Sequence, residues 1–193
     1  MSSLGRVQWL YHYFERATGP FRNLSDLSIT EAQQILDNLK RTSSVFAAQR
    51  YDGYLQRRHE LERLSRRMFM AKGGHPKRLA PHYMVVGQCP WLQNWYADGV
   101  YVRAHVSEFP ANQLSFSYGD LFPTFSSRVT DGREYRQQIY TLEEIEELID
   151  RYGFPQDWNP QGIHGPERYI EVQVWSDEAV QALRQRYHEG LVL

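Results

Sequence analysis

Residues 168–175 read RYIEVQVW, and apolar and polar side chains alternate along them. This period of two predicts a β-strand, because successive side chains of a strand point to opposite faces of a sheet. Ile170 and the two valines after it form one face, which we expect to be buried. Glu171 and Gln173 lie on the other face, where a carboxyl group and an amide stand side by side.

Four other segments of the chain also predict strands. They are rich in β-branched and aromatic residues, and an Asp-Gly pair at 98–99 precedes one of them, as in a tight hairpin turn. Strands joined by short turns pair antiparallel, so we expect a mainly antiparallel sheet. The segments are VQWLYHYF (7–14), HYMVVG (82–87), VYVRAHV (100–106) and LSFSYGD (114–120).

Helical patterns occupy the N-terminal third and recur towards the C-terminus. The first helix is expected to begin at Ser28 or Thr30, and the second to span about residues 44–70. Thr141 begins a third helix with a capping box, and Ser176 is expected to cap the last one. N-terminal helices followed by a mainly antiparallel β core predict the α+β class.

The composition is that of one globular domain. The chain has 193 residues, of which 41% are hydrophobic and 23% charged, so we expect a single domain over residues 1–193. Cys89 is the one cysteine, which excludes an intramolecular disulfide and fits a reducing compartment. No apolar stretch approaches the roughly 20 residues of a membrane helix. We therefore expect a cytoplasmic protein without a membrane partner.

Charge is unevenly distributed along the chain, although the net charge is only −1. Residues 1–80 carry twice as many basic as acidic side chains, and residues 81–193 carry twice as many acidic as basic ones. The basic half could attract a phosphate-bearing ligand. The alternative is a basic helix face that is simply solvated.

A few residues are candidates for a site, although the chain has none of the common phosphate-loop, zinc-protease or serine-hydrolase signatures. Arg58 lies on the apolar side of the second predicted helix, where a guanidinium group needs an anionic partner. That partner is either a ligand phosphate or an internal carboxylate. Glu171 faces either a cleft or ordinary solvent. His12 and Tyr83 lie inside predicted strands, where each also has a purely structural interpretation.

The order of these segments resembles the ADP-ribosyltransferase fold. More narrowly, it is similar to the DarT-like branch, whose members modify DNA bases. Each motif is short, and it is their shared order over most of the chain that carries the resemblance. The matching segments are LYHYF (10–14), RNLSDL (22–27), QQIL (33–36), APHYMVVGQCPWL (80–92), LSFSYGD (114–120) and RYIEVQVW (168–175).

The resemblance implies a split antiparallel sheet, NAD as cofactor, and transfer of ADP-ribose to a DNA base or a protein. It implies that Glu171 and Arg58 are catalytic, and that His12, Asn23 and Tyr83 bind NAD. In this chemistry a carboxylate stabilises an oxocarbenium-like ribose, a guanidinium group holds the pyrophosphate, and an aromatic ring stacks on nicotinamide. Three other arginines are alternatives to Arg58: Arg63, Arg66 and Arg67.

Two other functions remain open at this stage. One is a non-catalytic binding protein on a similar scaffold, and the other is a hydrolase that uses histidine with a carboxylate. A transferase predicts that His12, Arg58, Tyr83 and Glu171 meet at one cleft. A binding protein predicts that they diverge or that a salt bridge seals Glu171.

Overall fold

The computed structural model describes residues 5–42 and 51–191. Within these residues, five strands form one antiparallel sheet in the order β3-β1-β2-β5-β4. The second strand is hydrogen-bonded to both the first and the last, so the sheet is continuous across its middle. The strands are β1 (Trp9–Glu15), β2 (His82–Val86), β3 (Gly99–His105), β4 (Leu114–Ser117) and β5 (Glu171–Val174).

Helices surround this sheet. Three longer ones matter most for its burial: the second long helix covers one face, and the last two cover the other. The helices are α1 (Ile29–Thr42), α2 (Tyr54–Ala71), α3 (Pro90–Gln93), α4 (Leu121–Thr124), α5 (Leu142–Tyr152), α6 (Pro155–Trp158) and α7 (Glu178–His188). Short 3-10 turns occur at Leu24–Asp26, Val106–Glu108 and Ala111–Gln113.

One face of the sheet forms the main hydrophobic core. Apolar side chains of all five strands meet those of α5 and α7 there, and most of them are fully buried. Burying such side chains is the dominant favourable term in folding, at roughly 1.5–3 kcal/mol each. The strand residues of this face include Leu10, Phe14, Met84, Val86, Val102, Phe116, Val172 and Val174.

The other face carries two separate apolar clusters. The first, which we call the α2 cluster, consists of Leu61, Phe69, Leu121, Ile139 and Trp175, with Tyr83 packed against it. The second, the α3 cluster, consists of Tyr11, Tyr13, Val85, Cys89, Leu92 and Tyr169. Tyr83 and Val85 are successive residues on this face of β2, so the seam between the two clusters crosses the middle of the sheet.

The α+β class and the antiparallel sheet are confirmed. The split sheet implied by the resemblance is not present among the described residues, because β2 joins β1 to β5. Ser28 is the residue that caps α1, since its hydroxyl accepts a hydrogen bond from the Glu31 N–H. The capping box of Thr141 is also present.

Two helix starts differ from the expectation. The second helix begins at Tyr54, because Gly53 has a left-handed backbone (φ 88°) that a helix cannot continue through. The predicted start at residues 44–50 lies outside the described residues. The last helix begins after Asp177, whose side chain makes no capping hydrogen bond, and Ser176 is buried just before it. No helix in the described part of the chain is both long and apolar enough to cross a membrane.

Candidate functional site

Glu171 lies at the seam between the two apolar clusters. It begins β5, and its neighbours across the sheet are Val85 on β2 and Ser117 on β4. Only 7% of the residue is exposed. A carboxyl group placed in the middle of a sheet and away from water is costly unless neighbouring polar groups compensate for it.

The second helix brings an ion pair over this part of the sheet. Arg58 and Glu62 are four residues apart and therefore share a face of α2. Arg58 Nε lies 3.0 Å from Glu62 Oε1, and Glu62 is 1% exposed. The Tyr83 hydroxyl donates to the same carboxylate oxygen at 2.9 Å, and the guanidinium group lies 4.7 Å from the centre of the Tyr83 ring. Arg58, Glu62 and Tyr83 therefore form one compact unit.

The segment before α1 completes the surroundings of Arg58. Asn23 Oδ1 accepts from Arg58 Nη2 at 2.8 Å, and its own amide donates to the backbone oxygen of Pro81. The Ser25 hydroxyl accepts from Arg58 Nε and donates to Glu62 Oε1. Arg58 Nη1 donates to the Tyr54 hydroxyl. All three nitrogens of the guanidinium group are thus engaged within the protein.

A second carboxylate approaches Glu171 from the other side. Asp120 caps α4, and its Oδ1 accepts from the Phe122 N–H at 2.7 Å. The Tyr169 hydroxyl donates to Asp120 Oδ2 at 2.9 Å. Tyr169 belongs to the α3 cluster and precedes Glu171 by two residues, so Asp120 is held close to the seam.

The electrostatics of the site favour a protonated Glu171. Burial raises the pKa of Glu171 well above its usual range, and the carboxylates of Asp120 and Glu62 raise it further. A hydrogen bond from Gln173 and the charge of Arg58 act in the opposite direction. Glu171 thus feels two carboxylates and one guanidinium group, so a cation placed beside it would favour its ionised form.

Arg58 keeps its charge in spite of its environment. Burial opposes the charged form, but Tyr54, Tyr83 and Glu62 raise the pKa of Arg58 well above its usual value. Burial likewise raises the pKa of the Tyr83 hydroxyl well above the usual range. Both side chains therefore enter any chemistry at neutral pH in their protonated forms.

His12 lies on the opposite face of the sheet. It alternates with Tyr11 and shares the core face with Leu10. The Phe21 N–H can only donate, so His12 Nε2 accepts from it at 2.8 Å, and Nδ1 carries the hydrogen and donates to the Tyr83 backbone oxygen at 2.8 Å. Burial lowers the pKa of His12 to about 4. The side chain is neutral, fully hydrogen-bonded and separated from Glu171 by the sheet.

Four of the five residues singled out in the sequence therefore meet. Glu171, Arg58 and Tyr83 lie together, and Asn23 joins them through Arg58, whereas His12 does not. The alternatives to Arg58 lie elsewhere: Arg63 and Arg67 are exposed, and Arg66 donates to backbone oxygens of Arg78 and Pro76.

Sequence reasoning did not single out Glu62 or Asp120. The first could have been found as a carboxylate one helical turn after Arg58, on the same face. The second is the aspartate of the Tyr-Gly-Asp turn, and no local pattern says that this turn folds back over β5. Tyr169 lies on the same face of the strand as Glu171, but its hydrogen bond to Asp120 depends on the same fold.

A shallow depression of about 490 Å³ lies near the edge of the α3 cluster. It shares no residue with the unit around Glu171, which is enclosed in this conformation. The residues that line it are Gly5, Arg6, Gln8, Trp9, Tyr11, Val86, Gly87 and Phe154. Over the described ranges, no three His, Cys, Asp or Glu side chains are arranged to hold a metal ion.

Comparison of the chain with known protein families, curated proteins and solved structures found no match.

Proposed function

We propose that the protein is an NAD-dependent ADP-ribosyltransferase that acts through Glu171. The observation that supports the proposal is the enclosed carboxyl group of Glu171, which lies beside the carboxylates of Asp120 and Glu62 and whose pKa is raised by burial and by these carboxylates. The nicotinamide ring of NAD is cationic and planar. A cation of this kind is favoured beside carboxylates and aromatic rings, and Tyr83 and Tyr169 border the seam.

NAD, when bound, supplies an ADP-ribosyl group as the bond between its ribose and nicotinamide breaks and both electrons of that bond leave with the ring. The carboxyl group of Glu171 is the group on this chain that would face the positive charge left on the ribose. A cation nearby favours the ionised form of Glu171, so binding would reverse part of the effect that burial has on its pKa. Ionised Glu171 can then stabilise the ribose cation and take the proton of the incoming acceptor.

Arg58 has a different role in this proposal from a pyrophosphate ligand. Its nitrogens already donate to Asn23, Ser25, Tyr54 and Glu62, so it holds the site together from within. His12 stays a predicted NAD ligand only through the resemblance, since its side chain faces the core. The acceptor, a DNA base or a protein, is likewise proposed on the resemblance alone.

The proposal is tested by thermal unfolding of the protein with and without NAD, and by the release of nicotinamide. A ligand at a hundred times its Kd stabilises the folded state by about 2.7 kcal/mol. For a chain of this size, that corresponds to a rise in Tm of roughly 5–11 °C. Glu171→Gln is expected to show a smaller rise, because glutamine cannot ionise beside the cation, and to lose nicotinamide release.

The matched control is Glu178→Gln, which changes an exposed glutamate of α7 that pairs with Lys77. This variant is expected to bind and cleave NAD as the wild type does. If millimolar NAD does not raise the Tm of the wild-type protein, the transferase function is rejected. The non-catalytic binding protein would then be the better proposal, because Arg58 is already paired internally.

A further inference from the structure

A chain of buried hydrogen bonds leads to Glu171 along its own face of the sheet. Gln173, Ser115, Ser117 and Trp175 are each at most 1% exposed, and in the described part of the chain none of their side chains is hydrogen-bonded to Arg58, Glu62 or Tyr83. Gln173 lies directly opposite Ser115 on β4 and is the middle member of this series of hydrogen bonds. Its amide nitrogen donates to Glu171 Oε1 at 3.0 Å.

One end of the chain is a group that can only donate. The indole nitrogen of Trp175 donates to Ser115 Oγ at 2.8 Å. The hydroxyl hydrogen of Ser115 is then free to be donated to Gln173 Oε1, which lies 2.8 Å away and can only accept. The carbonyl end of the Gln173 amide is thus held on the Ser115 side.

The other end of the chain is a group that can only accept. The Ser117 hydroxyl donates to the backbone oxygen of Gly119 at 2.8 Å, so it has only a lone pair to offer to Gln173 Nε2, at 3.2 Å. If the amide were reversed, its carbonyl oxygen would face this lone pair and the Glu171 carboxyl group. Both ends of the chain therefore favour the same orientation of Gln173.

This orientation has a consequence for Glu171. We propose that Gln173, held by Ser115 and Ser117, is a positioning residue that fixes Glu171 Oε1 as a hydrogen-bond acceptor and leaves Oε2 as the oxygen that gains and loses the proton. The catalytic part of this inference rests on the function proposed above. The hydrogen bonding itself can be measured without NAD.

The charged and titratable groups that face Glu171 set the direction of the expected effect. They are Arg58 and Glu62 from α2, Tyr83 from β2, Asp120 at the start of α4, and Tyr169 just before β5. The carboxylates favour protonated Glu171, whereas Arg58 and the N–H of Gln173 favour the ionised form. Loss of the Gln173 N–H therefore moves the ionisation of Glu171 to higher pH.

Two variants disrupt the hydrogen bonding of Gln173 to Glu171 in different ways. Gln173→Met replaces the amide with an apolar side chain of similar length. Ser115→Ala combined with Ser117→Ala keeps the amide but releases both of its ends, and it changes the packed volume very little. The control is Ser65→Ala, which removes a fully buried hydroxyl that donates to the Leu61 backbone oxygen of its own helix.

The first measurement is an infrared pH titration of the protonated carboxyl band, assigned to Glu171 by comparison with Glu171→Gln. The midpoint is expected to move to higher pH in Gln173→Met and, by less, in the double serine variant. Ser65→Ala is expected to leave it unchanged. An unchanged midpoint in Gln173→Met and the serine variant, with both still folded by circular dichroism, would overturn the inference.

The second measurement is nicotinamide release as a function of pH. On the acid side of the profile, kcat of Gln173→Met is expected to fall about ten- to a hundredfold, the range that corresponds to one hydrogen bond to a charged group, while KM for NAD stays the same. A purely structural Gln173 would lower stability without moving the profile. A shifted infrared midpoint with no NAD cleavage in the wild type would refute the proposed function and leave the positioning intact.

Discussion

Replacing Arg58 with methionine is expected to destabilise the folded protein strongly. The change leaves the Glu62 carboxylate, which is 1% exposed, without its 3.0 Å guanidinium partner. Removing one member of a buried ion pair typically costs about 3–5 kcal/mol, because the remaining charge is neither paired nor hydrated. In a domain of this size each kcal/mol lowers Tm by roughly 2–4 °C, so we expect a loss of about 6–20 °C.

Urea unfolding at pH 7, followed by circular dichroism, measures this cost. Glu62→Gln and the double variant complete a double-mutant cycle. We expect the double variant to be more stable than the sum of the single changes predicts, because it leaves no unpaired charge. Arg6→Met is the control, since the pair of Arg6 with Asp150 is more than half exposed and such pairs contribute about 0–1 kcal/mol.

The result that refutes this reasoning is a cost for Arg58→Met no larger than that for Arg6→Met. Such a result would mean that water hydrates Glu62, or that His59, whose Nδ1 lies 3.3 Å from Glu62 Oε2, compensates for its charge. In either case the effect of Glu62 on Glu171 would be weakened, and the argument for a bound cation would lose part of its physical basis.

Two further predictions follow from other parts of the fold. Burial lowers the pKa of His12 from 6.5 to about 4, so the folded state favours neutral His12. The stability that this residue contributes is therefore complete above pH 6.5 and is lost as the pH falls towards 4. An NMR titration of the His12 ring, together with urea unfolding of the wild type and of His12→Asn, would detect this loss. Gly162→Ala is expected to lower Tm more than Gly132→Ala. Both glycines have a positive φ (72° and 68°), but only at Gly162 would a Cβ approach the Arg168 side chain, at 2.5 Å. Equal losses of Tm would contradict this expectation.

Much of the candidate site could be predicted from local patterns. Alternation in residues 168–175 separates Glu171 from the apolar residues of the same strand, and the helical period places Arg58 on an inward side. Both patterns report which side of an element is buried. They do not report what lies opposite, so the sequence left both a ligand phosphate and an internal carboxylate open as partners of Arg58. The fold supplies Glu62 as that partner.

His12 shows the limit of motif order as a guide. The segment LYHYF has the position along the chain that the resemblance requires, but a strand has two faces. Whether a histidine meets Glu171 depends on the parity of the register between β1, β2 and β5. A shift of one residue in that register would exchange the faces, and no local pattern fixes it.

The sequence by itself determined the elements of this protein, five strands and the main helices, and the apolar side of those with a clear period. Short-range preferences and periodicity act within a few residues, so they can be read without knowledge of the fold. Only the tertiary structure decided that Asp120 and Glu62 approach Glu171 and that Gln173 is oriented from both ends. These contacts join residues 50 or more positions apart, except those within β5, and they exist only because the strands pair in one register and α2 packs across them.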